Sequence, residues 1–406
     1  MDANAAAEKH VAIPAVDWEV GKWHLDPGAV SRRALRRTPS EYQSAIPASI
    51  ATLDLQLPSG LAADVHDATT AMARLDAYVS AKFGTTALAP MQTVLMRSES
   101  ASSSEIEYLT VGARQLAIAQ LGGQASHNAT LVAKNVAAMD AAIRLAGDLS
   151  LQTIMEMHDA LLGGEHREAG KLRVGQVWIG TGTSTPPTAD YVPPKAERVE
   201  PALQDLLSFV NRTDLPVLPQ AAVAHAQFET IHPFSDGNGR VGRALIQAMF
   251  RNQGLTQHIT IPISAGLLVD TGWYVDALNA YRIGEAGPIV ATLARAAQLA
   301  AGNGHWLVDS LWELLGEWET RIRTRVGSGA RLALPAILGQ PAVNLQFLVR
   351  RVGLSESAAS RALQALEESG ILKSTSDKKR NRVWVAPEAI KVMDSFANRL
   401  GRRTGH

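Results

Sequence analysis

The chain has 406 residues, enough for two or three domains. Lys plus Arg and Asp plus Glu both number 39, so the net charge is zero, which excludes a generally basic nucleic-acid coat or an acidic solvating tail. Cysteine is absent, excluding disulfide frameworks, thiolate metal sites and cysteine nucleophiles, while 46% hydrophobic and 19% charged residues suit ordinary buried cores.

The segment MDANAAAEKHVAIPAVDWEV carries early acids and no continuous apolar core, so it does not read as a secretory signal. No run of ~18 apolar residues follows, so no membrane span is expected, and the expected location is the cytoplasm. From Trp18 to about Pro58 the chain mixes aromatics, a basic run (Arg32, Arg33, Arg36, Arg37) read as a solvated face, and a Pro-flanked apolar stretch from Ile46 to Ile50. Helical spacing begins at about Gly60 and runs to Phe83. Further helical patterns cover about 90–120, 128–147, 150–162, 196–211, 219–231, 239–253, 272–282 and 288–320. The main β-like interruption is Leu172 to Pro194, where Val174, Val177, Trp178 and Ile179 precede a turn-rich centre and then Tyr191 and Val192, the pattern of a hairpin flap.

Gly327, Ser328, Gly329 and Ala330 read as a linker. Beyond it, Leu345, Leu348, Val349 and Val352 share one helical face, Gly353 breaks the helix, and Ser355 can cap the next. Ala359, Ala362, Leu363 and Leu366 form the second apolar face, and ILKS and RVWV flank a polar turn. Helix, turn, helix and hairpin in that order predict a winged helix-turn-helix. Ser357, Ser360, Arg361 and Gln364 on its second helix, with Lys373, Lys378, Lys379, Arg380 and Arg382 on the wing, make DNA a candidate partner, although such modules also dock proteins.

The chemistry concentrates in AHAQFETIHPFSDGNGRVGR, Ala224 to Arg243. Pro233 cannot sit in a helix interior, so a helix ends there. Gly237 and Gly239 permit close approach of a ligand to the backbone, and a second helix resumes through Leu245, Ile246 and Met249. A loop that feeds a helix N-terminus presents unpaired N–H groups to anions. Arg240 and Arg243 share a face of that first turn, where cations oppose the helix dipole, which points to an external polyanion such as a polyphosphate. Asp236 is a hard oxygen ligand suited to Mg²⁺ on phosphates, and His232 at the corner suits a general base.

HPFSDGNGRVGR resembles the signature of Fic proteins, helical proteins that transfer AMP from ATP to a protein hydroxyl. AHAQFETI and the flap strings VWIG and ADYVPP are similar to that family too, and the likeness covers roughly residues 40 to 300. The resemblance implies that His232 takes the proton of a target Ser, Thr or Tyr. It also implies that Asp236 holds Mg²⁺ between the α- and β-phosphates, and that Gly237, Asn238 and Gly239 form the anion hole. Arg240 and Arg243 would hold the outer phosphates, Phe234 would anchor the loop, and the flap would align the target by strand addition.

Ser103, Ser104, Glu105, Ile106 and Glu107 resemble the inhibitory motif that some Fic proteins carry, which pairs Glu107 with Arg243 in competition with the γ-phosphate. The family usually has Gly or Asn after that glutamate, where this chain has Tyr108. Glu105 is a competing candidate. Tyr274, within Gly272, Trp273, Tyr274 and Val275, is a weaker candidate for the adenine pocket, whereas Asn135 and His158 read as structural, and His225 as a packed histidine.

The expected architecture is mainly α. It comprises an N-terminal helical region (1–115, with an inhibitory helix at about 95–115) and a Fic catalytic core (116–300, flap 172–194). A connecting helix and linker (301–330) and a winged helix-turn-helix domain (331–406) follow. The expected activity is auto-inhibited protein adenylyl transfer with ATP as substrate, Mg²⁺ as cofactor and a protein target as partner. The alternatives are removal of AMP at the same site or a nucleotide-sensing DNA-binding regulator. A homodimer is a further candidate assembly.

Overall fold

The computed structural model describes residues 10–23, 40–163, 166–180, 185–375 and 382–401. The basic run at Arg32, Arg33, Arg36 and Arg37 and the wing cations Lys378, Lys379 and Arg380 lie outside the described residues.

In chain order the elements are β1 (Asp17–Lys22), β2 (Glu41–Ile46), α1 (Ser59–Glu105), α2 (Ala113–Gln120), α3 (His127–Arg144), α4 (Leu151–Leu162), α5 (Ala196–Val210), α6 (Val217–Ile231) and α7 (Asn238–Asn252). They continue with α8 (Ile263–Leu267), α9 (Thr271–Arg282), α10 (Gly287–Arg321), α11 (Gly329–Gly339), β3 (Ala342–Val343), α12 (Glu356–Glu368), β4 (Lys373–Ser374), β5 (Trp384–Val385) and α13 (Pro387–Gly401). The protein is mainly helical, as its periodicity indicated. No described helix is long and apolar enough to cross a membrane.

The chain forms two compact units, Met1–Val65, Ala141–Gln253 and Gly272–Ala294 in the first, and His66–Asp140, Gly254–Thr271 and Arg295–His406 in the second. The segment 331–406 lies wholly in the second unit, and 116–300 is divided between both.

In the first unit α6 is the central element. Every residue from Leu218 to Ile231 is buried, the polar Gln220, His225, Gln227, Glu229 and Thr230 included. It packs between α5 and α7, and α4 packs on α7. Phe209, Phe228, Leu203, Leu206, Val241 and Phe250 fill the space between them. Ser150 starts α4 by accepting from the Thr153 N–H, satisfying an orphan donor of the first turn. The sequence reading missed the antiparallel pair β1 and β2, registered from Asp17 opposite Ile46 to Lys22 opposite Glu41. Trp18 and Val20 are half exposed on it, so no clean alternation marks a core face. The flap is shorter than a hairpin of two strands, since its only described bridge joins Ile179 to Tyr191.

In the second unit α1 is interrupted at Gly84, whose backbone is non-helical (φ 52°, ψ −156°), close to the helix end read at Phe83. The single helix expected over 90–120 is two, separated by a turn in which Tyr108 is left-handed (φ 63°). Asp76 accepts from the backbone N–H groups of Gln257, His258 and Ile259, fixing that loop. Buried Glu99 accepts from Ser264 N–H and hydroxyl at the start of α8. The segment 327–330, expected as a linker, is instead the start of α11, whose N-cap is Ser328. Further on, the helical turns Leu345–Phe347 and Leu348–Val352 precede α12, which Ser355 caps by accepting from Ala358 N–H. β3, β5 and β4 form one antiparallel sheet in that order.

Candidate active site

The sequence places a helix stop, a turn and a helix start within a few residues, and the backbone follows it. α6 ends at Ile231, and His232 caps it in the left-handed conformation (φ 51°), donating its N–H to Phe228 O. Pro233 prevents continuation. Gly237 (φ 80°) is the N-cap of α7 and offers no side-chain cap. The backbone angle at Gly237 favours glycine, and a Cβ there would lie 2.6 Å from Leu161 Cδ2 and displace that side chain. The N–H groups of the first turn of α7 therefore have no capping side chain, and the positive end of the helix dipole lies at them.

Asn238 holds the loop in shape. Its Oδ1 accepts from Phe234 N–H and its Nδ2 donates to Phe234 O, both at 2.9 Å. Phe234 is fully buried, which contributes about 2 kcal/mol, and it stacks on His158 at 3.7 Å and 12°. His158 Nε2 donates to Asp236 O (3.2 Å), and its Nδ1 accepts from Gly170 N–H (3.2 Å), an arrangement that assigns the neutral Nε2–H tautomer. Burial pushes the His158 pKa down to about 4, so the ring stays neutral in this role. His158 thus braces the loop from α4.

Asp236 keeps its side chain 67% exposed, while Arg240 is almost wholly buried with its Nη2 3.3 Å from the Asp236 carboxylate. Gly237 N–H also donates to Asp236 Oδ1 at 2.7 Å. Arg243 is buried on the same face of α7. Loop and helix thus gather His232, Phe234, Asp236, Gly237, Asn238, Gly239, Arg240 and Arg243 in one place.

Glu229 was not singled out from the sequence, although it stands three residues before His232 on α6. Its carboxylate lies 3.7 Å from His232 Nδ1, too long for a hydrogen bond but close enough for electrostatic attraction. Burial alone raises the Glu229 pKa, but His232, His225 and Arg243 outweigh it and bring it to about 2. An ionised Glu229 draws the imidazole proton toward Nδ1 and leaves Nε2 as the acceptor.

Tyr274, on α9, is buried with its hydroxyl 2.7 Å from His225 Nε2 and its ring stacked on the same imidazole. Its polar end is therefore engaged within the core. Gly242 lets His225 approach, since a Cβ there would stand 3.0 Å from the ring. Glu107 belongs to the second unit, in the turn that follows α1, where its N–H donates to Ser104 O. Asn135 donates to Ser100 O and Ser104 Oγ beneath that turn. Just before β5, Arg382 donates to Ser374 Oγ and Glu367 and covers the Trp384 ring, so this cation, expected on a wing, is internally paired.

The buried histidines set a pH dependence. Burial brings the His225 pKa down to about 4 from an ordinary 6.5. Between those values the unfolded chain takes up a proton that the folded chain does not, so stability falls as pH falls through this window. His225 contributes on the order of 3 kcal/mol to that loss, His158 acts in the same direction, and Glu229 extends it from about 4.5 toward 2. Urea unfolding at pH 7 and pH 5 is expected to show a lower midpoint at pH 5, with a shallower decline for His225→Gln. A midpoint that stays level or rises would contradict these protonation states.

Residues 148–250 match the model of the Fic/DOC family. The chain is 29% identical over 173 residues to protein adenylyltransferase fic-1 of Caenorhabditis elegans, covering 39% of this chain and 31% of that one. It is 29% identical over 157 residues to protein adenylyltransferase Fic of Nematostella vectensis, covering 38% and 33%. It thus spans about a third of these curated relatives. Among solved structures, a Fic family protein from Desulfovibrio desulfuricans G20 aligns with a TM-score of 0.47 and 21% identity, covering 79% of this chain and 95% of that one. With the signature complete from His232 to Arg243 and folded as a loop that opens onto a helix start, this chain carries a Fic domain over residues 148–250.

Proposed function

We propose that the protein transfers AMP from ATP to a hydroxyl of a target protein and releases diphosphate. The observation that supports this most is the union of an imidazole beside the ionised Glu229 with a helix start, free of any capping side chain, that carries Arg240 and Arg243. Activities of this kind name the relatives that share the domain.

His232 Nε2 takes the proton of the target hydroxyl as its oxygen attacks the α-phosphorus. The bond from that phosphorus to the bridging oxygen of the β-phosphate breaks, and diphosphate carries the electron pair away. The N–H groups at Asn238 and Gly239 stabilise the charge that develops on the α-phosphate oxygens. Arg240 and Arg243 position the outer phosphates, and charge neutralisation with in-line placement supplies most of the catalysis.

Asp236 would hold Mg²⁺. Its exposed hard carboxylate at the mouth of the anion site fits an ion that takes one or two carboxylates and completes its shell with phosphates and water. Among the described residues no group of three His, Asp or Glu side chains converges, so Asp236 would be a lone protein ligand. Bound Mg²⁺ supplies charge neutralisation at the phosphates.

Glu107 would restrain this site by occupying the Arg243 guanidinium that the γ-phosphate needs. The left-handed backbone at Tyr108 supports the motif register, because it follows Glu107 at the position where the family usually has Gly or Asn. The capped α12 and the sheet order β3–β5–β4 support reading 331–406 as a winged helix-turn-helix.

ATP labelled on the α- or the γ-phosphate tests the reaction class. Incubation with Mg²⁺ and the Glu107→Gly protein is expected to put the α-label, and not the γ-label, on protein. Protein carrying the γ-label would show phosphoryl transfer and contradict the proposal.

A further inference from the structure

Arg173 opens the flap segment and is 96% buried, being only 4% exposed. All its acceptors are main-chain carbonyls. Nε donates to His232 O (2.8 Å), Nη1 to Gly175 O (3.0 Å), and Nη2 to Pro194 O (2.5 Å) and Ile231 O (3.4 Å). Its backbone N–H donates to Pro233 O at 3.0 Å. Gly175 and Pro194 are the two roots of the flap, while Ile231, His232 and Pro233 are the corner at which α6 ends.

The end of a helix leaves carbonyls without partners and carries partial negative charge, which a cation offsets. Arg173 serves that need with a planar fork that a lysine cannot reproduce. Tyr191, on the returning arm of the flap, takes the next carbonyl back, its hydroxyl donating to Thr230 O at 2.8 Å. Arg282 lies 3.7 Å over the Tyr191 ring and Trp18 meets its edge. Gln176 closes the flap base by donating to Pro193 O at 2.8 Å. The carbonyls of residues 230 to 233 are therefore all bonded by flap residues. An ordinary hairpin has no need of a guanidinium buried at its base, and burial of that charge costs several kcal/mol unless its bonds recover it.

We propose that Arg173 is a positioning residue that joins both flap roots to the left-handed His232 corner as one rigid piece, so that a hydroxyl aligned by the flap and the imidazole that accepts its proton keep a fixed separation. The catalytic half of this inference rests on the adenylyl-transfer reading, whereas the mechanical half does not.

The test uses the full chain with Glu107→Gly, alone and combined with Arg173→Gln or Arg173→Lys. Amide hydrogen exchange reports the mechanical half. Arg173→Gln is expected to speed exchange at least about 10-fold in 174–180, 185–194 and 229–238 together, with α5 unchanged as the internal reference. Self-labelling with α-labelled ATP at saturation is expected to slow about 100-fold, the effect of a small misplacement, while the Kd for ATP moves less than about threefold. Arg173→Lys keeps the charge but not the fork, and is expected to fall between the two in both readouts. Should Arg173→Gln not fold, Arg173→Lys carries the test on both readouts.

Faster exchange in only one of the segments, or unchanged exchange in all of them, would overturn the coupling. A weakening of ATP binding in proportion to the rate would overturn the positioning role. Coupled exchange with no α-label on any protein, the Arg173 parent included, would leave the coupling standing and count against adenylyl transfer instead.

Discussion

In the Glu107→Gly background, His232→Ala is expected to lower AMP incorporation by about 10²- to 10⁴-fold, the usual contribution of a positioned general base. The ring that is lost is the acceptor that stands 3.7 Å from the ionised Glu229. ATP affinity should change little, because the phosphates would be held at the start of α7 and by Arg240 and Arg243, which the substitution leaves in place. The backbone at 232 is left-handed, a conformation that costs Ala about 1–2 kcal/mol and Asn less. His232→Asn therefore separates chemistry from backbone strain. Both variants should bind ATP and both should fail to transfer AMP. Transfer retained by either, with the thermal midpoint unchanged, would remove His232 from the role of base.

The second large effect is opposite in sign. Glu107→Gly is expected to raise self-labelling about 10- to 100-fold over the parent chain, the equivalent of one charge-assisted hydrogen bond withdrawn from competition with the γ-phosphate. The turn after α1 is formed by Glu107 N–H and Leu109 N–H, both donating to Ser104 O, and by the left-handed Tyr108. In that turn Glu105 is exposed and Glu107 is half-buried, one residue before the left-handed Tyr108. Glu105→Gly, which alters the last residue of the helix, is accordingly expected to leave labelling near the parent level. Equal labelling by the parent and Glu107→Gly would refute restraint by this carboxylate, and a rise with Glu105→Gly alone would reassign it.

Much of this was legible in the residues, for definable reasons. Apart from the short α8, which no helical pattern marked, the helices from His127 to Arg321 announce themselves because buried faces repeat at helical spacing and their ends carry Ser150, Pro233 and Gly237. The loop from His232 to Gly237 was legible because proline stops a helix and glycine admits the left-handed backbone of the turn. β1 and β2 were not, because Trp18 and Val20 lie on a half-exposed ribbon whose partner strand is remote in sequence. The break between α1 and α2 was hidden because its left-handed residue is a tyrosine, where glycine or asparagine would have signalled it.

The supports of the site were less legible than the site itself. Glu229 stands at the correct helical interval from His232, but a buried acid and a surface acid look alike until packing is known. His158 reaches Phe234 and Asp236 from 76 and 78 positions away, and Arg173 reaches the His232 carbonyl across 59. Such contacts are made by topology, and no local pattern encodes them. The motif therefore marks where chemistry occurs, while the parts that hold it in place emerge only from the fold.

The most direct measurement is a crystal structure of the Glu107→Gly protein with Mg²⁺ and a non-hydrolysable ATP analogue. The phosphates are expected at the N–H groups that open α7, with Arg240 and Arg243 on the outer phosphates and the α-phosphorus facing the side of the loop where His232 Nε2 accepts. A nucleotide that saturates the protein in solution yet lies elsewhere in the crystal, with the α7 start bare, would contradict the account.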